Sequence, residues 1–210
     1  MTLDLPLAVT AIGALGTAAS GLVDASKVFG GGVNHIGFRG IRAAVRRLTD
    51  AVQPVNALSQ KQILATLESN WMNGTDLGNQ KSIAKSLIKL NLNPRNARAL
   101  AQATGVDPCA LAVAVTAAPP ESDVLDRFDL ILTVLLDEAY HRSDQLYRNW
   151  TRALAAAVAV ALAVTGGHML QINPGLSILI GLLATPLAPI AKDVSTALAT
   201  AVNAMQVVKK

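Results

Sequence analysis

The sequence predicts an all-α integral membrane protein, with three transmembrane helices, a cytoplasmic helical domain, and a long helical stalk leading into the second span. Three observations carry this. Apolar residues fill 51% of the 210 positions and charged residues only 15%, where a water-soluble domain carries about 25% charge. The apolar residues gather in three long stretches. The lysines and arginines flank those stretches on one side only. Mean hydropathy is +0.39. Aromatics are 3%, so Ala, Leu, Val and Ile supply most of the apolar content.

The first stretch, Leu5 to Val23, runs nineteen residues without a charge. A hydrocarbon layer about 30 Å thick takes roughly 20 helical residues, so this stretch is long enough. The second runs from Ala153 through Thr165 and on through Gly166, Gly167, His168, Met169 and Leu170. The third, Leu176 to Ala191, has sixteen residues and follows Asn173, Pro174 and Gly175. A soluble Ala-rich bundle is the alternative, but a core helix seldom stays apolar on all faces for nineteen residues. A cleaved signal peptide needs a basic n-region, and Met1 to Asp4 is acidic.

Charge sets the expected topology. Lys27, Arg39, Arg42, Arg46 and Arg47 follow the first span, Arg142, Arg148 and Arg152 precede the second, and Lys192, Lys209 and Lys210 follow the third. The expected arrangement puts the N-terminus outside and both residues 24–152 and the C-terminus in the cytoplasm, as for a multi-pass protein of a bacterial inner membrane. Trp150 falls at the inner interface of the second span. The turn GGHMLQINPG carries no Lys or Arg and is read as external.

The chain then divides as follows. Residues 1–29 are the first transmembrane helix. Residues 30–53 are a hinge, Gly30-Gly31-Gly32, and a juxtamembrane basic helix. In that helix Arg39, Arg42 and Arg46 form one stripe and Ile41, Val45 and Leu48 another. Arg39, Arg42, Arg46 and Arg47 are the candidate contacts to lipid headgroups. No aromatics interleave with them, so nucleic acid is not an expected partner.

Residues 54–120 read as a small helical domain. Ser59 to Gln62 fits a capping box. Asn93-Pro94 and Asp107-Pro108 each read as a helix start, Gly105 as a stop, and Pro119-Pro120 as another stop. Residues 121–170 are the stalk and second span. From Ser122 to Thr165 there is neither Gly nor Pro, and an unbroken helix of that length measures about 66 Å. Leu125, Phe128, Leu132, Leu135 and Ala139 make a stripe that must bury against its own domain or a neighbouring copy. Residues 171–210 are the third span, loosened by Pro186 and Pro189, and an amphipathic tail.

No catalytic constellation, metal set or cofactor motif is found, and the protein is read as a non-enzyme. His35, His141 and His168 are scattered, and Glu138 and Arg142 make an ordinary i,i+4 pair. Cys109 is the only cysteine, which excludes an internal disulfide. Gly30-Gly31-Gly32 lacks the strand and the Lys-Ser/Thr of a phosphate loop. The first span is rich in small residues, with Gly13, Thr17 and Gly21 at four-residue steps and Gly16 and Ser20 likewise. Such faces admit close helix approach, and these five are the candidate oligomer seam or pore lining. Asp24, Lys27, Lys192 and Asp193 are the candidate charges of a pore mouth. The expected function is a homo-oligomeric pore or channel-like assembly gated or docked through the cytoplasmic domain. The second reading is a membrane-anchored scaffold whose cytoplasmic domain recruits a soluble protein. Membrane lipids are partners in both.

Overall fold

The computed structural model describes residues 5–27, 31–49, 58–117 and 122–208, and every regular element among them is a helix. In chain order these are α1 (Leu5–Ser26), α2 (Val33–Thr49), α3 (Gln60–Met72), α4 (Leu77–Leu90), α5 (Ala97–Thr104), α6 (Pro108–Thr116), α7 (Ser122–Met169) and α8 (Pro174–Val208). Three helices are long and apolar enough to cross a membrane: α1, the second half of α7, and α8 as far as Ala191. Contacts divide the chain into an apolar unit, Met1–Gly32 with Arg148–Lys210, and a globular unit, Val33–Tyr147. α7 contributes to both.

Local sequence explains most helix ends. The Ser59 side chain accepts from the Gln62 N–H and the Gln62 side chain returns to Ser59, a complete capping box on α3. Asp76 caps α4, and Asp107 caps α6 with Pro108 in its first turn. Gly105 ends α5 at φ 74°, a left-handed conformation that glycine adopts without strain. One start differs from expectation. Asn93-Pro94 opens a turn, in which the Asn93 carboxamide accepts from the N–H groups of Arg95 and Asn96, and α5 begins only at Ala97. The Pro119-Pro120 stop lies outside the described residues.

The globular unit is built around large side chains. Phe38, Ile41, Val45 and Leu48 of α2 join Ile63, Leu67, Trp71, Ile88, Leu100 and Leu111 in one core. Phe128, Leu132, Leu136 and Tyr140 of α7 complete it. Two expectations change as a result. The apolar stripe of α2 is covered by protein, so α2 is a core helix of this unit and does not turn Ile41, Val45 and Leu48 to a membrane surface. The first half of α7 is likewise the unit's own helix, buried through a stripe rotated slightly from the expected one. Leu136 and Tyr140 are buried where Leu135 and Ala139 were expected.

The apolar unit reverses this polarity. Apart from Val23, its buried positions are small: Gly13, Gly16 and Ala19 on α1; Ala155, Ala159, Ala163 and Gly167 on α7; Ser177, Gly181, Ala184 and Ala191 on α8. Leu154, Leu162, Leu179, Leu182 and Ile190 are exposed. Removing side chains from the seam lets backbones touch. A Cβ added at Gly16 would enter the Ala184 carbonyl, one at Gly13 would enter the Ala191 methyl, and one at Gly181 would meet the Val160 backbone. α8 passes through Pro186 and Pro189 without breaking, although each proline removes one backbone donor.

The order of these contacts gives direction. Gly13 meets Leu187 and Ala191, whereas Gly16 meets Ala184, so α1 runs antiparallel to α8. Charge had placed α1 and α8 as two inward crossings, which requires them to run the same way. The packing departs from that arrangement. The short turn after Met169 makes α7 and α8 a hairpin, and α1 lies along α8 in the opposite sense.

Gly16→Leu should therefore lower the thermal midpoint of the detergent-solubilised protein by several degrees, by the about 1–3 kcal/mol that overpacking costs. Gly21→Leu should leave it unchanged, because a Cβ at Gly21 meets nothing within 4 Å. Circular dichroism melts of the two variants separate these outcomes.

Candidate functional site

A groove of about 340 Å³ lies between α2, α5 and α7 in the globular unit. Its two long walls repeat one spacing. α2 contributes Gly40, Ala43, Ala44 and Arg47; α7 contributes Leu135, Glu138, Ala139 and Arg142. Both series read i, i+3, i+4, i+7, the same-face positions of a helix. Leu48 and Ala103 add to the floor.

α2 and α7 come this close because of two glycines. A Cβ at Gly37 would lie 2.7 Å from the Trp71 ring and 2.9 Å from the Tyr147 Cβ, and one at Gly40 would lie 2.5 Å from the Ser143 hydroxyl oxygen. That hydroxyl is buried and accepts from the Ile41 N–H at 3.1 Å. Trp71 donates from its indole N–H to the Asn34 carbonyl at 3.0 Å and meets Tyr147 edge to face. The contacts run antiparallel: Gly37 faces Tyr147, Gly40 faces Ser143, and Leu48 shares the groove with Leu135. Arg47 and Arg142 thus stand toward opposite ends of the groove. Both are exposed, and neither forms an ion pair among the described residues, so the expected Glu138–Arg142 pair is not made.

A different face of α7 is closed by charge. Lys81 pairs with Asp137 at 2.6 Å, while Lys85 and Lys89 reach Asp129 at 3.0 and 2.8 Å. The Lys89 hydrogen bond, with Lys85 adding to it, outweighs partial burial and holds the Asp129 carboxyl below its usual range. Burial pushes the Tyr140 phenol up, so it stays neutral at any ordinary pH. Among the described residues, no three His, Cys, Asp or Glu side chains gather as a metal site would require.

The residues singled out from sequence separate into groups. Gly13 and Gly16 are buried against α8 within the chain, and the Ser20 hydroxyl bonds the Gly16 carbonyl at 3.0 Å. Thr17 is exposed, with its hydroxyl on the Gly13 carbonyl at 3.1 Å, and Gly21 is exposed. Asp24 pairs with Lys27 one turn on. Asp193 is exposed, and the Lys192 side chain lies outside the described residues. Asp193 is not gathered with the Asp24–Lys27 pair. Asp193 follows Ala191, which touches Gly13, and Asp24 is eleven residues further along α1, about 16 Å away on a helix. Arg39, Arg46 and Arg47 are exposed, whereas Arg42 is half-buried, lies over the Phe38 ring and pairs with Glu68 at 2.6 Å.

The sequence reading missed the groove. Its signal was present in Gly37-x-x-Gly40 on a helix otherwise rich in large apolar and basic residues. In comparisons with protein-family models, curated proteins and solved structures, nothing matches this chain.

The Asp129 carboxyl, lowered on folding, contributes stability that is complete above its unfolded value of 3.8 and is lost as pH falls through the lower folded value. Asp129→Asn should cost about 1 kcal/mol or less at pH 7, given how exposed such pairs are. The difference from wild type should shrink as the pH is taken below 3.8. Chemical denaturation above and below that value checks both statements.

Proposed function

We propose that this protein is a membrane-anchored docking module. The second half of α7 and α8 form an inserted hairpin, and the globular unit meets other proteins. One observation carries the reading: the apolar unit buries Gly, Ala and Ser and turns Leu and Ile outward. In water that packing exposes the wrong atoms. In lipid it is favourable, because hydrocarbon solvates Leu as well as a protein core does and association rests on close backbone contact. The charges flanking the hairpin, Arg142, Arg148 and Arg152 before it and Lys192 after it, support a cytoplasmic position for both its ends and a bacterial inner membrane as the site.

The anchor is favoured over the pore because Gly13 and Gly16, the centre of the expected seam, face α8 of the same chain. The globular unit supports the docking role through its groove, whose lining is mostly apolar, from Gly40 and Ala139 up to Leu48 and Leu135, with Glu138 on one wall and Arg47 and Arg142 toward its ends.

Reconstitution into liposomes tests the reading. The protein should stay with the vesicles through an alkaline wash and pass no potassium or chloride above the level of empty vesicles. Release by the wash would contradict insertion. Ion flux that Gly21→Leu abolishes would replace the anchor with a pore lined by the exposed face of α1.

A further inference from the structure

The groove has a complement on the same chain. Leu130 and Val134 of α7 are 67% and 65% exposed, among the most exposed large aliphatic side chains of the unit together with Leu90 and Val113. Asp126 lies one turn before Leu130. It is exposed and forms no ion pair among the described residues. Asp126, Leu130 and Val134 stand at i, i+4 and i+8, so they form one ridge of the kind that packs into a groove between helices. The ridge covers about 12 Å along α7, and Leu135 to Arg142 covers about 10 Å of the groove wall.

We propose that the α2–α5–α7 groove takes the Asp126–Leu130–Val134 ridge of a second copy of this chain. Deepening the docking-module reading and resting on it, this makes the docked partner the protein itself. Chemistry sets the polarity. The larger floor residues, Leu48 and Leu135, lie toward the Arg47 end, and Gly40 and Ala139 lie toward the Arg142 end. Val134 fits the first, and Asp126 then falls at Arg142. Ridge and groove occupy different faces of α7, so neither satisfies the other within one chain and both can be engaged at once. Contact between unlike surfaces repeats from copy to copy and yields a ring or an open array, not a closed pair. Burial of Leu130 and Val134 supplies the attraction, and the Asp126–Arg142 pair fixes direction.

The test uses the full chain in detergent, with association followed by sedimentation velocity over a concentration series. Wild type should assemble beyond a dimer. Leu130→Glu should give monomers, since it drives a charge into the floor. Asp126→Arg and Arg142→Asp should each weaken assembly about fivefold or more, and the double reversal should restore it. All three positions are exposed, and unchanged helical circular dichroism and melting confirm that each variant folds. A wild type that stays monomeric, assembly indifferent to Leu130→Glu, or a double reversal that does not restore it overturns the proposal. Assembly surviving Leu130→Glu assigns the contact to the apolar helices. Vesicle retention and ion flux read the anchor itself and are independent of these variants, so the two readings can fail separately.

Discussion

Close contact between helix backbones, made where side chains have been pared to hydrogen or methyl, is the constraint on which the apolar unit depends. Gly13 and Gly16 on α1 and Gly181 on α8 have no room for even one carbon more. Hydrocarbon offers no hydrophobic reward for burying Leu or Ile, so such a unit holds together through dispersion and weak polar contacts, and these require short distances. The placement of large residues follows from that. Leu154, Leu162, Leu179, Leu182 and Ile190 face outward because the seam has no space for them and the surrounding solvent accepts them. The Thr17 and Ser20 hydroxyls bond carbonyls one turn back, so each side chain satisfies its own donor within α1.

The globular unit solves the opposite problem. Its core takes Phe38, Phe128, Tyr140 and a set of Leu and Ile, the kind of side chain whose transfer from water is worth roughly 1.5–3 kcal/mol each. Glycine appears at a helix contact here too, at Gly37 and Gly40, but for a local purpose. It lets Trp71, Ser143 and Tyr147 close on α2, and that closure sets the spacing of the groove walls. One helix, α7, obeys both rules in succession: Phe128, Leu132, Leu136 and Tyr140 are buried in its first half, and Ala155, Ala159 and Ala163 in its second. The change in residue size along its buried face marks where one kind of packing gives way to the other.

Much of this was legible in the residues. Unbroken apolar runs marked the long helices, and Ser59, Asp107 and Gly105 marked ends that capping geometry enforces. Periodicity showed that α2 and α7 had apolar stripes. It did not show what covers them, because a stripe of Ile41, Val45 and Leu48 looks the same against lipid as against Ile63 and Leu67. The same limit applied to Gly13 and Gly16. Small residues at three- and four-residue steps announce a close neighbour without saying whether it lies in the same chain. Helix direction was the largest departure. Lys and Arg bias reports on loops, and it cannot register that Gly13 sits beside Ala191 and not near the start of α8. The groove walls were hidden because Ala43, Ala44 and Ala139 carry no signal until two helices are brought together.

Disulfide trapping between Gly13→Cys and Ala191→Cys, in a Cys109→Ser background and in native membranes, tests the small-residue seam and its direction together. The account predicts efficient crosslinking of that pair on mild oxidation, and none between Gly13→Cys and Leu176→Cys near the start of α8. Crosslinking of the second pair without the first would mean that α1 and α8 run the same way, and the seam described here would be wrong.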